Sequence, residues 1–402
     1  MRRSFLVLQG TASPFFGRLA VALRHRGHVA HRVNFCGGDL FYAGKGESWN
    51  YTHKAEELRA WYADRLQAHR PTDILMFGDC RYIHQCVNPA ARDHGVRVHV
   101  FEEGYVRPHW VTLEQHGVNG RSLLPRDPAW YREQGRNIPA APRGRPTGYN
   151  LRERALHDIW YRAANVLYQS RFPFYKSHRP RNGLIEYAGL ANRALHSRRH
   201  RRHAEDSTGM LLAAGRQYYL FPLQLNSDSQ IVEHSPFDGM VSAIDRVMRS
   251  FARHAPAQAW LVIKNHPLDT GLIDYRRHAS RVARELGMTG RFVFLDAGHL
   301  PTLLEHARGA VVVNSTVGLS ALHHRRPLIA LGTAIYDMDG LTWQGSLDDF
   351  WTQGSEPDTA LYRRFIDYVV HTTQINGDFY TRTGMAMATE GAVRRLEALT
   401  NV

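Results

Sequence analysis

The chain has little cysteine and little lysine. Its three cysteines are too few for a disulfide framework or a zinc site, and they indicate a reducing compartment. Only four of the 51 Lys and Arg residues are lysines, and with 37 acidic residues the formal net charge is +14. Because arginine makes bidentate contacts with carboxylates and phosphates, the excess favours acidic partners such as sugar acids, anionic lipids or nucleic acid. GC-rich codon usage would enrich arginine as well, without any such partner.

Long apolar runs and internal repeats are also missing. No stretch approaches ~18 consecutive apolar residues, so the sequence predicts no membrane-spanning helix. The opening "MRRSFLVLQG" resembles a signal peptide, but its apolar run is too short and meets a glycine. The apolar fraction of 43% and the charged fraction of 22% are typical of a globular protein, and 402 residues suit two domains. We therefore expect a cytoplasmic protein of two domains.

Strand-like and helix-like segments alternate along both halves of the chain, which predicts an α/β fold with two Rossmann-like domains, residues 1–205 and 206–402. A cleft between two such domains would give a GT-B-like architecture, although other two-domain enzymes share the pattern. In the first half the predicted strands are "SFLVLQ", "VAHRVNF", "DILMFG" and "VRVHVFEEG", with helices such as "PFFGRLAVALRHRGH" between them. In the second half they are "QYYLFPLQL", "AWLVIKNHP", "RFVFLD", "GAVVVN" and "PLIALG".

Polar residues follow three predicted strands of the second domain, where open α/β sheets bind ligands. The first group can hold a phosphate or simply cap a helix, and its members are Asn314, Ser315 and Thr316. The second group can contact a phosphate or form a turn, and it contains Lys264, His266 and Pro267. The third group can bind hydroxyl groups or form a polar loop, and it contains Gln224, Asp228, Ser229 and Gln230.

Two adjacent carboxylates, Glu102 and Glu103, end a predicted strand of the first domain and precede Gly104. Neighbouring side chains of an extended strand point to opposite faces, so only one of the two would face a ligand directly. Asp79 and Arg81 follow the preceding strand, near the same edge. Both glutamates could instead be structural partners of Arg81 and Arg107, and this alternative stays open.

Two basic segments have more than one interpretation. The run "HSRRHRRH", residues 196–203, could bind metal or nucleic acid, but it has no accompanying carboxylates or aromatic platform, which favours a solvated linker. The segment 155–175 carries arginine, Trp and Tyr at helical spacing. It could contact an anionic membrane, but packing against its own domain is favoured.

Six blocks of the sequence together resemble the KpsS/LipB group of bacterial capsule polysaccharide proteins. They are "QGTASPFF", "GDCRYIH", "FEEGYVRPHWVTLEQHGVN", "FPLQLNSDSQI", "KNHPLD" and "NSTVGLSAL", and the resemblance covers residues 5–345. It implies a retaining β-Kdo transferase that moves Kdo from CMP-Kdo to a (lyso)phosphatidylglycerol terminus and so starts the linker of a capsule. It also implies a peripheral position at the inner face of the inner membrane and capsule assembly proteins such as KpsC as partners.

The resemblance assigns roles to the candidate residues. The related protein KpsC carries "EDG" where this chain has "EEG", so Glu103 matches the aspartate and is expected to be the nucleophile or charge stabiliser, supported by Glu102. Asp79 and His266 complete the catalytic candidates. His266, Ser315 and Thr316 would hold the donor phosphate, and because CMP-Kdo has a single phosphate, no metal or other cofactor is expected.

Further substrate-binding candidates are Gln9, Gly10, Arg81 and Arg107. Two rivals remain: a non-enzymatic adaptor that binds the lipid end of the polysaccharide for export, and nucleic-acid binding through residues 193–203, which is not expected.

Overall fold

The computed structural model describes residues 2–177, 183–225 and 229–398. The described residues form two compact units: residues 2–123, 140–177 and 368–398 make up the first, and residues 124–139, 183–225 and 229–367 the second. The structure differs from the predicted division at residue 205 in two ways: residues 124–139 and 183–205 belong to the second unit, and residues 368–398 return to the first unit and supply one strand and one helix there. Sequence reading missed this return because it follows the chain in order and has no information on long-range pairing.

The strands β1–β12 have the following bounds in chain order within the described residues: Ser4–Val7, Val29–Asn34, Ser48–Asn50, Asp73–Phe77, Arg97–Glu103, Trp110–Gln115, Tyr218–Pro222, Trp260–Lys264, Phe292–Leu295, Gly309–Val312, Leu328–Ala330 and Gln374–Asn376.

The helices α1–α16 are, in the same order, Phe15–His25, Gly37–Phe41, Leu58–His69, Val87–Asp93, Pro128–Glu133, Leu151–Leu167, Gly183–Leu195, Ser197–Ala213, Ser229–His234, Met240–His254, Tyr275–Glu285, Leu300–His306, Val317–His323, Leu347–Gln353, Thr359–Thr373 and Arg382–Ala398. Within the described part of the chain, no helix combines the length and the apolar character needed to cross a bilayer.

The first unit contains a seven-stranded sheet in the order β12-β6-β5-β4-β1-β2-β3. Strands β1 to β5 pair in parallel, and the antiparallel strands β6 and β12 extend the sheet beyond β5. Since strand order reverses between β1 and β4, the carboxyl ends of these two strands mark the topological switch point, where doubly wound sheets bind ligands.

Apolar side chains cover both faces of this sheet. On one face Phe101 of β5 packs with Phe15 of α1 and Met385 of α16, and on the other Val100 packs with Tyr62 of α3 and Val87 of α4. Alternate residues of β5 therefore enter opposite cores, as the two-residue period of a strand requires.

A buried cluster of charged side chains surrounds Asp73, the first residue of β4. The Asp73 carboxylate is fully buried and accepts hydrogen bonds from Nε of Arg3 at 2.7 Å and Nε2 of His99 at 2.8 Å. The half-buried guanidinium of Arg97 forms an ion pair with the same carboxylate, with Nε at 3.0 Å from Oδ1. A buried charge is stable only when it is paired and hydrogen-bonded in this way.

The second unit contains a parallel five-stranded sheet in the order β11-β10-β7-β8-β9, with its switch point between β7 and β10. Helix α10 covers one face through Ile244, Val247 and Phe251, whose spacing of three and four residues places them on one side of the helix. The predicted α/β class with two Rossmann-like sheets is confirmed.

The predicted linker at 196–203 is wrong, because these residues begin helix α8, Ser197–Ala213. Arginine and alanine are good helix formers, and Gly209 is the first glycine in the segment. The helix buries Ala204 and Leu211, seven residues apart on one face, and leaves most of its arginines in solvent. The basic run is thus the polar face of a packed helix.

Candidate functional site

Glu103 lies at the carboxyl end of β5, on the sheet face that also carries Phe101. The strand register places Glu102 opposite Thr112 and Glu103 opposite Val111, within the β5–β6 hairpin. Adjacent strand residues point to opposite faces, which is how the two carboxylates were predicted to lie. Gly104 follows directly, and a Cβ there would come within 2.2 Å of the Trp110 carbonyl oxygen. Glycine is therefore required for the close turn after the two carboxylates.

Two side chains hold the Glu103 carboxylate. The Tyr380 hydroxyl donates a hydrogen bond to Oε1 at 3.0 Å, and Arg154 forms an ion pair with the same oxygen at 3.2 Å. The Arg154 guanidinium also lies over the Tyr380 ring, 4.8 Å from its centroid, and donates to the Tyr149 hydroxyl. The Glu103 side chain keeps 26% of its surface exposed, so a substrate can reach it.

The electrostatics of this cluster favour a charged Arg154 and a neutral Tyr380. Burial alone would lower the pKa of Arg154, but the neighbouring Tyr380 and Glu103 outweigh it and raise that pKa. Burial and the Glu103 charge raise the pKa of Tyr380 well above its ordinary value. Tyr380 therefore stays a hydroxyl donor, and Arg154 stays a cation beside the carboxylate.

Glu102 has a different environment. One of its carboxylate oxygens accepts the backbone N–H of Glu103 at 2.9 Å, and the other lies near Gly78 at the end of β4. This hydrogen bond fixes the backbone at the point where Glu103 leaves the strand. The geometry agrees with a supporting role for Glu102.

The switch point of the first sheet brings together Gln9, Gly10 and Arg81. Nη1 of Arg81 donates to Oε1 of Gln9 at 2.9 Å and to the Gly10 carbonyl at 2.8 Å. Gln9 is fully buried and its amide nitrogen donates to Asp39 at 2.9 Å, so its side chain connects the strand ends. A Cβ on Gly10 would lie 2.6 Å from the Phe16 ring, which explains the glycine.

Asp79 and Arg107 form hydrogen bonds with the backbone of neighbouring loops. Asp79 is 2% exposed, and its carboxylate accepts the Val118 N–H at 3.3 Å and faces Arg121. Nε of Arg107 donates to the Gly104 carbonyl at 3.2 Å. The cation that pairs with Glu103 is thus Arg154, rather than Arg81 or Arg107 as the structural alternative proposed.

In the second unit, Gln224 and Asn314 meet at the switch point between β7 and β10. The amide nitrogen of Gln224 donates to Oδ1 of Asn314 at 2.9 Å, and the Asn314 backbone N–H donates to Oε1 of Gln224 at 3.2 Å. Each amide satisfies the other, so the pair fixes the two loops relative to each other. The structure therefore brings the ends of β7 and β10 together.

Ser315 and Thr316 follow β10 as two partly buried hydroxyls. The Ser315 hydroxyl accepts the Val317 N–H at 3.2 Å, as a capping residue does, whereas Thr316 forms no capping hydrogen bond. Helix α13 has seven residues, so its dipole adds little and the side chains carry the chemistry. Tyr336 packs against Gly318, where a Cβ would lie 2.2 Å from its hydroxyl, and donates to the Ser315 carbonyl.

Asn265 organises the loop after β8, which carries Lys264 and His266. Its amide nitrogen donates to Asp269 at 3.1 Å and to Asp296 at 3.2 Å, and its oxygen accepts the His266 N–H at 2.8 Å. Burial would raise the pKa of Asp296, but hydrogen bonds from Arg276 and Asn265 outweigh it and lower that pKa. Burial, with a contribution from the Arg193 charge, lowers the pKa of Lys264.

The tautomer of His266 follows from its hydrogen bond. Nδ1 accepts the Leu268 N–H at 3.1 Å, so the neutral ring carries its proton on Nε2. The side chain is half-buried and the following Pro267 is exposed. An imidazole oriented in this way can donate from Nε2 to a phosphate oxygen.

Some predicted residues lie outside the part of the chain that can be described. Asp228 lies outside the described residues, and the side chains of Ser229 and Gln230 do as well. Sequence reasoning missed Tyr380, Arg154 and Asn265. Tyr380 and Arg154 are far from Glu103 in sequence, and no local pattern connects them with it. Asn265 lies between Lys264 and His266 in the segment "KNHPLD", and this position could have identified it as a candidate.

Each unit thus has a Rossmann-like sheet with polar side chains at the strand ends around its switch point, an arrangement typical of enzymes that bind nucleotides and their derivatives. The sequence model of the capsule polysaccharide biosynthesis protein family matches residues 72–380. The chain belongs to this family.

Several relatives cover nearly the whole chain. The capsule polysaccharide export protein KpsS of Escherichia coli is 36% identical over 94% of this chain and 97% of its own length. The capsule polysaccharide modification protein LipB of Neisseria meningitidis serogroup B is 32% identical over 94% and 92%, respectively. Among solved structures, the chain is similar to Thermosulfurimonas dismutans KpsC, a β-Kdo 2,7 transferase, with a TM-score of 0.43, 15% identity and coverage of 99% of this chain and 100% of that one.

Proposed function

We propose that the protein is a retaining β-Kdo glycosyltransferase. It transfers Kdo from CMP-Kdo to a (lyso)phosphatidylglycerol terminus and starts the linker that joins a capsule to its lipid. The observation that carries the proposal is the reachable Glu103 carboxylate, held by Tyr380 and Arg154 at the end of a central strand. A protein that only binds polysaccharide has no need of such a carboxylate.

The proposed reaction has two displacements at the anomeric carbon. In the first, a Glu103 oxygen forms a bond to that carbon while the bond to the phosphate oxygen breaks and CMP leaves. In the second, the acceptor hydroxyl attacks the same carbon, its proton passes to a base, and the carboxylate is released. Two inversions give net retention. Both Glu103 contacts fall on Oε1 in the described structure, so Oε2 is the oxygen offered to the sugar.

The second unit is proposed to bind the donor. Nε2–H of His266 would donate to the phosphate of CMP-Kdo, together with the hydroxyls of Ser315 and Thr316, and stabilise the charge that develops on the leaving group. The donor carries one phosphate, so we propose that these side chains suffice and that turnover continues in EDTA. Addition of the following Kdo would require another enzyme, and we propose a KpsC-like protein as a partner.

The test compares two neighbouring residues of the same chemistry. Each variant is incubated with CMP-Kdo and a fluorescent phosphatidylglycerol analogue, and the product one Kdo heavier is measured. Glu103→Gln should lower turnover by several orders of magnitude with an unchanged melting temperature, because it removes the nucleophilic charge and keeps the shape. Glu102→Gln should lower turnover less and also lower stability. If both variants stay active, the carboxylates are structural and the proposal is wrong.

Helix α6 supports a peripheral position at an anionic membrane. Its inner face buries Tyr161 and Ala164, while Leu156, Ile159, Trp160 and Leu167 form an exposed apolar stripe, with Trp160 57% exposed. The spacing of three, four and eleven residues places the stripe on one side of the helix. The net charge of +14 complements anionic headgroups.

Vesicle flotation tests this part of the proposal. Val166, at the end of the stripe, is 74% exposed, and Val232, on α9, is 60% exposed. Val166→Glu should weaken binding to phosphatidylglycerol vesicles, and Val232→Glu should not, because only the first introduces an anion into the apolar surface. Binding should also fall with salt. If vesicle binding is unaffected by salt, by lipid charge and by Val166→Glu, the apolar stripe of α6 is not the membrane-binding surface.

A second candidate is a non-enzymatic adaptor in capsule export, which the name of the E. coli relative favours. It predicts binding of the lipid-linked polysaccharide end without transfer of Kdo. The product assay with Glu103→Gln separates the two functions, because the variant of an adaptor would bind and act as the unmodified protein does.

A further inference from the structure

The first unit contains a large apolar cavity outside the strand-end site. It lies between α1, α2 and α16 and has a volume of about 860 Å³, within the range of roughly 300–1,000 Å³ typical of small-molecule sites. Its lining runs along α1 from Pro14 to Arg26. At about 1.5 Å per helical residue this wall is roughly 18 Å long, so the cavity suits an elongated ligand.

The lining is apolar inside and cationic at its rim. Val21, Ala22, Ala386 and Val393 supply aliphatic surface, and Phe41 is 51% exposed beside them. An exposed apolar surface of this kind marks a binding site more often than a solvated face.

Arginines and a histidine surround this apolar surface. Arg26 pairs with Glu397 and Arg394 with Glu390. Arg18 and His25 line the cavity without an ion pair to any residue that the structure describes. An occupant with an apolar chain and an anionic head matches both features.

A chain of hydrogen bonds connects the cavity wall with Glu103. The Tyr42 hydroxyl, in the wall, donates to Nδ1 of His157 at 2.9 Å, and Nε2 of His157 donates to the Tyr380 carbonyl at 3.1 Å. The Tyr380 hydroxyl in turn donates to Glu103. Helix α1 begins just beyond the carboxyl end of β1, and β5 ends at the same edge of the sheet. The start of α1, where Pro14 and Arg18 line the cavity, therefore lies at the edge of the sheet that carries the proposed catalytic carboxylate.

We propose that this cavity binds the acyl chain of a single-chain anionic phospholipid, with the head group at Arg18 and the chain along α1 and α16. The inference rests on the proposed function, and it identifies this cavity as the site where the lipid acceptor of that function binds. The same chemistry, one acyl chain with an anionic head, is found in free fatty acids, so the experiment includes both sources.

The test is photolabelling of the full chain without CMP-Kdo. The probes are lysophosphatidylglycerol and palmitate, each with a diazirine in the acyl chain. Lysophosphatidylglycerol should label peptides of α1 and α16 more strongly than palmitate does. Ala386→Trp, which fills the cavity from an exposed position, should reduce this labelling at least fivefold. The control Ala398→Trp lies exposed on the same helix away from the cavity and should label as the unmodified protein does.

Competition adds a second measurement. Unlabelled lysophosphatidylglycerols should compete roughly tenfold better for every two methylene groups added, because each group is withdrawn from water. Arg18→Gln should reduce the preference for lysophosphatidylglycerol over the neutral monoacylglycerol.

Three results would overturn the inference. They are labelling confined to α6, labelling that Ala386→Trp leaves unchanged, and a dimer of the unmodified protein that Ala386→Trp dissociates, which would assign the cavity to a second copy of the chain. Labelling needs no turnover, so the result separates from the proposed function. Labelling of α1 and α16 by a protein that transfers no Kdo would support the cavity and contradict the enzyme.

Discussion

Glu114 allows a quantitative test of burial in the first unit. It lies on β6, is 8% exposed, and its carboxylate accepts hydrogen bonds from the hydroxyls of Tyr105, at 2.6 Å, and Ser122. Burial raises the pKa of Glu114 to about 7, although the hydrogen bonds from Ser122 and Tyr105 partly offset it.

The sign of the effect follows from proton binding. In the unfolded chain the group titrates near 4.5, so between that value and about 7 the folded state binds the proton and the unfolded state does not. The contribution to stability is fully present below pH 4.5 and is lost as pH rises through about 7. At ~1.4 kcal/mol per pH unit, the full difference is about 3 kcal/mol.

The perturbation is Glu114→Gln, which keeps the size of the side chain and cannot ionise. The gap in free energy of unfolding between variant and unmodified protein should change by about 3 kcal/mol from pH 4.5 to pH 8, in favour of the variant at high pH. Urea unfolding at four or five pH values measures it. Glu56→Gln, at an exposed glutamate of the same unit, is the control and should leave the pH profile unchanged.

Parallel pH profiles for Glu114→Gln and the unmodified protein would refute the reasoning. They would mean that the carboxyl group titrates alike in the folded and unfolded chain, and that Tyr105 and Ser122 fully compensate its burial.

Three further predictions concern the two units. His266→Ala should raise the barrier to transfer by about 2–4 kcal/mol at an unchanged melting temperature, whereas near-normal turnover would make the loop a simple turn. CMP should raise the melting temperature more than UDP or GDP does, and equal shifts would contradict a cytidine donor. Asp73→Ala should lower the free energy of unfolding by about 3–5 kcal/mol in urea, because Arg3 is left buried without its partner, and a loss below ~1 kcal/mol would show that water replaces the carboxylate.

The parallel core of each sheet could be predicted from the sequence. Strands such as β4 and β8 are short apolar runs followed by polar residues, and both cues are local. The strands β3 and β12 were missed because each has three residues and depends on a neighbouring strand for its hydrogen bonds. Strand β6 was missed because the proline and aromatics between it and β5 look like a loop.

The candidate site could also be predicted only in part from the sequence. Glu103 and His266 were found because each ends a strand. The position of the Glu103 carboxylate depends on Tyr380, 277 positions away along the chain, and on Arg154 of α6. Such pairs are fixed by tertiary packing, so no periodicity or local spacing encodes them.

The return of residues 368–398 to the first unit has a consequence for biosynthesis. A ribosome that adds about 5–20 residues per second needs on the order of 10–50 s to reach β12 and α16 after β6 has left it. During this time the apolar face of α1 has no α16 to pack against, although Phe15 and Leu19 are fully buried beside Met385 in the finished protein. The unit that emerges first is therefore completed last, and the nascent chain is a natural client for chaperones that cover exposed apolar helices.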